Sequence, residues 1–218
     1  MNSQFGNRMV YANCRQALIN AGFSADKVAD AVLSQSYLRL EQPLSATGTT
    51  FNFPVLINQT GSGQSVRSTE VRLSLQDGFY VSGINVYLAL PSSATATNFL
   101  LKSFPSTTLF TTGYANLPTF YNGFLSLNIN QVNIITQFPL YRFFQAPQTQ
   151  ESSLTANPTD QFDGTQDYVV EPNILLLGSN NSQLNIQLPG AIGTIDATTY
   201  AVIVLNGIKA QNISTLVA

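Results

Sequence analysis

The composition of this chain excludes several kinds of active site before any motif is considered. It has 218 residues, a net charge of −2 and only 9% charged residues, against roughly 25% in an ordinary soluble domain. It has no His and a single Cys, which excludes His-based catalytic triads, His-ligated metals and an internal disulfide. Neutral Asn, Gln, Ser and Thr side chains make up more than a third of the chain.

Residues 1–40 predict an N-terminal helical arm. Apolar side chains over residues 5–23 recur at helical spacing on two stripes, Gly22 ends the pattern, and Ser24 is suited to cap a second helix. Two stripes indicate a first helix that touches two surfaces. It packs within its own domain, or it grips a neighbouring subunit or an underlying layer. On this helix Cys14 is predicted to be a small, packed apolar side chain.

After residue 49 the spacing of apolar side chains changes to two, which is typical of strands. Near Gln131 the apolar phase slips, which predicts a bulge or a strand break. Alternation or a short apolar run marks six segments: 71–75, 84–90, 125–129, 174–177, 184–188 and 201–205. Few helical patterns separate them, so an antiparallel arrangement is favoured. We expect residues 41–218 to form a mainly β domain, an antiparallel eight-strand jelly-roll-like sandwich.

An irregular stretch over residues 99–122 is rich in aromatic side chains. Aromatic rings without a regular period still require burial. They tuck under their own sheet, or they fill a contact with another subunit. Together with three apolar residues of the arm, they are the candidates for subunit contacts: Phe5, Met9, Ile19, Phe104, Phe110, Tyr114, Phe120 and Tyr121.

The sequence contains few candidates for reactive or ligand-binding side chains. The acidic loop with Asp160, Asp163 and Asp167 is a weak candidate for Ca²⁺, although its spacing departs from the EF-hand pattern and a solvated loop is the simpler interpretation. Arg142, flanked by aromatic residues, is suited either to stack on a base or a sugar or to make a structural cation–π contact. No nucleophile–base spacing or phosphate-binding loop is present, so we predict no catalytic residues, cofactor or obligatory metal.

The polar side of several predicted strands carries amides where Lys and Glu are common in soluble sandwiches: Asn85, Asn128, Gln183, Asn185 and Gln187. Neutral amides donate and accept hydrogen bonds across an interface without the desolvation cost of a charge. These strand faces are therefore predicted to be protein contact surfaces whose strength depends little on salt.

The chain resembles the jelly-roll capsid proteins of icosahedral viruses, particularly non-tailed bacterial viruses. The likeness extends over about residues 49–217 and is best where residues 168–173 lead into two strands around Gly178, and where residues 200–206 would close a sheet. It implies a virion shell subunit that forms a large symmetric homo-oligomer and meets other virion proteins. Residues 1–40 hold four basic and two acidic side chains, so strong nucleic-acid binding is not expected, and contact of the arm with a membrane or an inner protein layer fits better.

Three functions compete at this point. The first is a self-assembling virion shell protein without catalytic activity. The second is a lectin-like or adhesin-type sandwich that displays loops 99–122 or 145–167; it is weakened by the absence of Trp, a favoured sugar-stacking residue. The third, an enzyme on the same sandwich, has no residue pattern in its favour.

Overall fold

Nine strands, two α-helices and two short 3₁₀ helices make up the described part of the chain. The computed structural model describes residues 3–59, 67–93, 95–106, 109–145 and 167–213, with side chains from Met9 onward except that of Pro172. The 3₁₀ helices are Leu117–Asn122 and Leu140–Phe143. The α-helices and strands are α1 Ser3–Asn20, α2 Ala25–Ala29, β1 Leu33–Pro43, β2 Thr50–Pro54, β3 Gly78–Ala89, β4 Leu101–Lys102, β5 Phe124–Ile129, β6 Val132–Pro139, β7 Tyr168–Leu177, β8 Ser182–Gln187 and β9 Tyr200–Ala210.

The strands form two antiparallel sheets. Sheet A has five strands: β1 pairs with β9, β9 pairs with β3, and the far side of β3 is shared by β7 and the two-residue β4. Sheet B has four strands in the order β2-β8-β5-β6. The prediction of a mainly β, antiparallel fold is confirmed. The described residues contain nine strands rather than the eight expected, because β4 adds a short pairing at the end of β3.

The main hydrophobic core lies between the two sheets. Alternation along the strands sends Leu125 and Leu127 of β5 inward beside Leu184 and Ile186 of β8, and all four are buried. The facing side chains of sheet A, such as Phe79, are buried in the same cluster. Each such side chain contributes roughly 1.5–3 kcal/mol on burial, so the period of two along the strands is the main source of stability for this architecture.

The two α-helices pack on the outer face of sheet A, outside this core. Cys14 and Leu18 of α1 are fully buried in a second hydrophobic cluster that includes Tyr80 and Ile208 of the sheet. Gly22, with φ of +98°, follows α1 in a backbone conformation that favours glycine. The stripe through Cys14 and Leu18 thus contacts the domain to which the helix belongs.

Three local predictions differ from the structure or are refined by it. Residues 33–43, predicted within the helical arm as far as residue 40, form β1, because Leu38 and Leu40 alternate with polar neighbours and face the core. Residues 71–75 form no strand and make only isolated bridges. The predicted break near Gln131 is a tight turn between β5 and β6, with positive φ at Asn130 and Gln131.

The two sides of the sandwich, where the edge strands of the two sheets lie, differ from each other. On one side, residues 71–73 run between the two sheets: Val71 bridges Arg39 of β1, and Leu73 bridges Leu56, which lies just after β2. On the other side, β7 ends sheet A and β6 ends sheet B. Within the described residues, the long strand β6 has only β5 as a sheet neighbour. Among the described residues, one side of the sandwich is therefore bridged at two points, and the other side has no such bridge.

Candidate functional site

The outer face of sheet B carries no charged side chain, and in fact no residue of β2, β5, β6 or β8 is charged. Strand register places Asn52, Asn185 and Ser126 side by side across three strands, and Gln183 beside Asn128. We call this surface the amide face, formed by residues that are exposed or half-buried: Thr50, Asn52, Ser126, Asn128, Gln183, Asn185 and Gln187. Four of the five predicted amides therefore lie together on one surface.

The fifth predicted amide, Asn85, lies elsewhere, and the prediction that it belongs to an exposed face is wrong. Asn85 is buried on β3, a central strand of sheet A. Its side chain donates a hydrogen bond to Asp167, whose two carboxylate oxygens each lie 2.9 Å from the side-chain nitrogen of Asn206. Burial, and then the Asp167 carboxylate, raise the pKa of nearby Tyr87 to about 12. This arrangement ties Asp167, the residue before β7, to β3 and β9 and thereby fixes where β7 begins beside β3.

Asp167 is also the one described member of the candidate Ca²⁺ site. Asp160 and Asp163 lie outside the described residues. Across the described part of the chain, no group of three or more metal-ligating side chains comes together. Asp167 instead accepts hydrogen bonds from two asparagine amides, which satisfies its oxygens without a cation.

A groove opens between β6 and β7, the strands that end the two sheets on one side of the sandwich. Its volume is about 700 Å³, within the range of small-ligand pockets. Half-exposed Ile134 and more exposed Val169 lie at its rim, beside the exposed carboxylate of Glu171. We call it the β6–β7 groove, and its apolar and aromatic lining consists of Ile84, Leu125, Ile134, Ile135, Phe138, Tyr168, Val169 and Val170.

Aromatic rings and Arg142 meet where β6 ends and β7 begins. The centroids of the Phe138 and Tyr168 rings are 4.4 Å apart. The guanidinium carbon of Arg142 lies 5.9 Å from the Phe138 centroid and 5.8 Å from that of Tyr168. The structural cation–π interpretation of Arg142 is confirmed. Tyr141 remains 62% exposed beside it, so this corner presents an aromatic surface with one positive charge.

Most of the aromatic candidates for subunit contact are core residues. Phe104, Phe110, Phe120 and Tyr121 are each at most 8% exposed, because the stretch that contains them folds under its own sheets. As subunit-contact candidates these four are corrected, since side chains already buried in the protomer present no surface to a neighbour. Tyr114, at 46% exposed, is the aromatic member of the set that stays accessible.

The three arm candidates have different environments. Met9 is 67% exposed on α1 and is available for contact. Ile19 is half-buried against the cluster formed by the helices and sheet A. The side chain of Phe5 lies outside the described residues. Cys14 is buried as predicted, and desolvation raises the pKa of its thiol to about 11.

Sequence reasoning missed a buried ionic cluster at the edge of sheet A. The side chain of Glu41 is completely buried and receives Arg39 at 2.7 Å and Arg67 at 2.8 Å. Glu70 pairs with Arg72 at 3.1 Å and accepts the backbone N–H of Glu41 at 3.0 Å. The available signal was the close spacing of opposite charges within residues 39–41 and 67–72 in a chain of which only 9% of the residues are charged.

The ionic cluster has a structural role. Arg39 and Arg67 lie over the ring of Phe99, and Arg67 also lies over Tyr200. These contacts fasten the segments before and after β3 onto the outer face of sheet A. Every charged side chain in this cluster lies within 3.1 Å of an opposite charge in the protomer.

The comparisons with known proteins give no family to which this chain can be assigned. The chain matches no family of known proteins, no curated protein sequence and no solved structure. Among the described helices, none is long and apolar enough to cross a membrane.

Proposed function

We propose that this protein is a self-assembling structural subunit of a virion shell, built as a jelly roll and without catalytic activity. The observation that carries the proposal is the strand order together with the uncharged surface. Leaving out the two-residue β4, eight strands lie in two sheets of four, β1-β9-β3-β7 and β2-β8-β5-β6. Two four-stranded antiparallel sheets of eight strands are the arrangement of jelly rolls, which occur in viral capsids and in lectins.

The composition of the amide face favours a role in assembly over that of an ordinary solvent-exposed surface. Soluble monomers usually present mixed charges, whereas sheet B presents hydroxyls and amides that hydrogen-bond in both directions. Each hydrogen bond across an interface contributes about 1 kcal/mol, so a single contact is weak. A subunit held by several neighbours at once gains from multivalency, which suits a closed shell of many copies.

Assignment to a virion rests on the resemblance of the strand pattern to capsid proteins. In the shell, copies of this chain lie side by side and contact other virion proteins, and the exposed side of α1 around Met9 faces a membrane or an inner protein layer. We place the protein in the virion of a bacterial virus.

A lectin-like module is the second candidate, and one pocket favours it. A cavity of about 320 Å³ between the turns of sheet B is lined by Asn128, Gln131, Asn181 and Gln183. Neutral amides suit the hydroxyls of a sugar, although the lining includes no aromatic ring for stacking.

Electron microscopy of the purified full-length chain, combined with a panel of immobilised glycans, separates the two functions. The shell proposal predicts closed particles of uniform size and no glycan binding. A chain that stays monomeric at every concentration and binds a glycan would replace the shell proposal with the lectin-like one.

A further inference from the structure

We propose that the β6–β7 groove is a self-association site in which β6 pairs, antiparallel and across a two-fold axis, with β6 of a second copy of this chain. This inference rests on the proposed self-assembly and names the surface through which two copies first join. The groove combines an apolar floor with the edge of a strand, the combination that proteins use to accept an added strand.

Within the described residues, β6 has only β5 as a sheet neighbour, so its other backbone edge has no strand partner there. In the register with β5, partners exist for Val132, Asn133, Ile135, Phe138 and Pro139, while Ile134, Thr136 and Gln137 are skipped at two irregularities. These three skipped residues line the groove. A strand laid in the groove supplies hydrogen-bond partners for an edge, and an acyl chain or another apolar small molecule does not. The chemistry of the groove therefore favours a peptide strand over a small ligand.

Of the usual protections of an edge strand, β6 has irregularities in its pairing with β5 but no charged side chain. Exposed edges in soluble proteins commonly carry Lys or other charges that prevent pairing with another chain. β6 has no charged residue over its eight positions, and Val132 and Ile134 are 59% and 48% exposed. On the opposite side of the sandwich, residues 71–73 bridge β1 at Arg39 and the chain just after β2 at Leu56. The edge of β6 has no such bridge among the described residues.

The charge distribution favours a second copy of this chain as the occupant. Two identical surfaces that carry charges of one sign repel each other, but β6 is neutral, so electrostatic repulsion does not oppose its pairing with a second β6. Arg142 lies at the Pro139 end of β6, stacked on Phe138 and Tyr168, and Glu171 lies further along β7. Antiparallel pairing sets the Pro139 end of each β6 against the Val132 end of the other. It thereby brings Arg142 of each copy toward Glu171 of the partner subunit. The two-fold axis makes this pair of opposite charges occur twice in the dimer.

The test compares two matched variants at opposite edges of the sandwich. Ile134→Lys places a charge on β6, and two such charges approach each other across the two-fold axis. Ile57→Lys makes the same change at a residue that is 58% exposed near the end of β2. By analytical ultracentrifugation, Ile134→Lys should raise the dissociation constant of the pair at least about tenfold, and Ile57→Lys should leave it unchanged. Far-UV circular dichroism establishes that each variant is folded, and Thr136→Lys replaces Ile134→Lys if the latter does not fold.

Cross-linking gives an independent readout of the two-fold axis. A residue near the axis lies close to its own equivalent, so Thr136→Cys should give a covalent dimer with a short bismaleimide, while Ile57→Cys and the parent, whose Cys14 is buried, should not.

The outcomes separate this inference from the proposed function. Large assemblies that are unaffected by Ile134→Lys and give no Thr136→Cys dimer overturn the β6 pairing and leave the shell proposal standing. A dimer that Ile134→Lys dissociates, with no larger particle, supports the pairing and contradicts the shell. A parent chain that is monomeric at every concentration overturns both.

Discussion

Replacing Glu41 with Gln tests whether the buried ionic cluster holds the edge of sheet A in place. The substitution keeps the size of the side chain and one oxygen but removes the negative charge shared by Arg39 and Arg67. Both arginines then lie beside Phe99 without the carboxylate that neutralises them. Removing one partner of a buried pair lowers the free energy of unfolding by about 3–5 kcal/mol. Because Gln keeps one side-chain oxygen for the arginines, we expect Glu41→Gln to lower it by about 3 kcal/mol.

A loss of this size is a large part of the total stability of a domain, which is about 5–15 kcal/mol. The chain has no Trp, so urea unfolding is best followed by far-UV circular dichroism. Glu41→Gln should lower the urea midpoint with little change in the slope of the transition. The matched control is Asp30→Asn, the same carboxylate-to-amide change at an exposed residue that follows α2, and it should change the free energy of unfolding by less than about 0.5 kcal/mol. Equal midpoints for the two variants would refute a stabilising role for the cluster.

Three further predictions concern the helices on the outer face of sheet A. Deleting residues 1–30 leaves β1 intact. The shortened chain should still unfold cooperatively, but at a lower temperature by calorimetry, and should assemble poorly by ultracentrifugation. An unfolded product would show that α1 is part of the essential core. Cys14 should resist iodoacetamide at pH 8 in the folded protein and react in urea, and labelling of the folded chain would contradict its burial. Because folding raises the pKa of this thiol from 9.0 to about 11, its contribution to stability is complete below about pH 9 and falls as the pH rises toward 11. The parent should therefore lose more stability over that interval than Cys14→Ala, and equal losses would refute the shift.

Much of the fold was predictable because it rests on local periodicity. The alternation around Leu125 and Leu184 is regular, each strand has one buried face, and the sequence therefore predicts both the strand and its orientation. β1 was missed because its alternation at Leu38 and Leu40 follows directly after a helical pattern. The alternation at residues 71–75 has a different cause: this segment crosses between the edges of the two sheets and is buried at Leu73 without joining either sheet.

The candidate surfaces were only partly predictable, because position within a sheet is a long-range property. The amides of β5 and β8 could be grouped by their alternation, but Asn85 has the same local pattern and lies buried on a central strand. The β6–β7 groove depends on two edges that are brought together from distant parts of the chain. The ionic cluster likewise joins residues 39–41 to residues 67–72 through the packing of two loops over β1 and β9, which no short-range pattern specifies.

The most direct test of the central claim is the mass distribution of the purified full-length chain at low salt and at about 1 M NaCl, where charge interactions are screened beyond about 3 Å. Assembly through the uncharged amide face and the edge of β6 predicts large particles whose mass is the same in both solutions. Dissociation to protomers on raising the salt alone would show that ion pairs hold the copies together, and a protomer-sized mass in both solutions would contradict self-assembly itself.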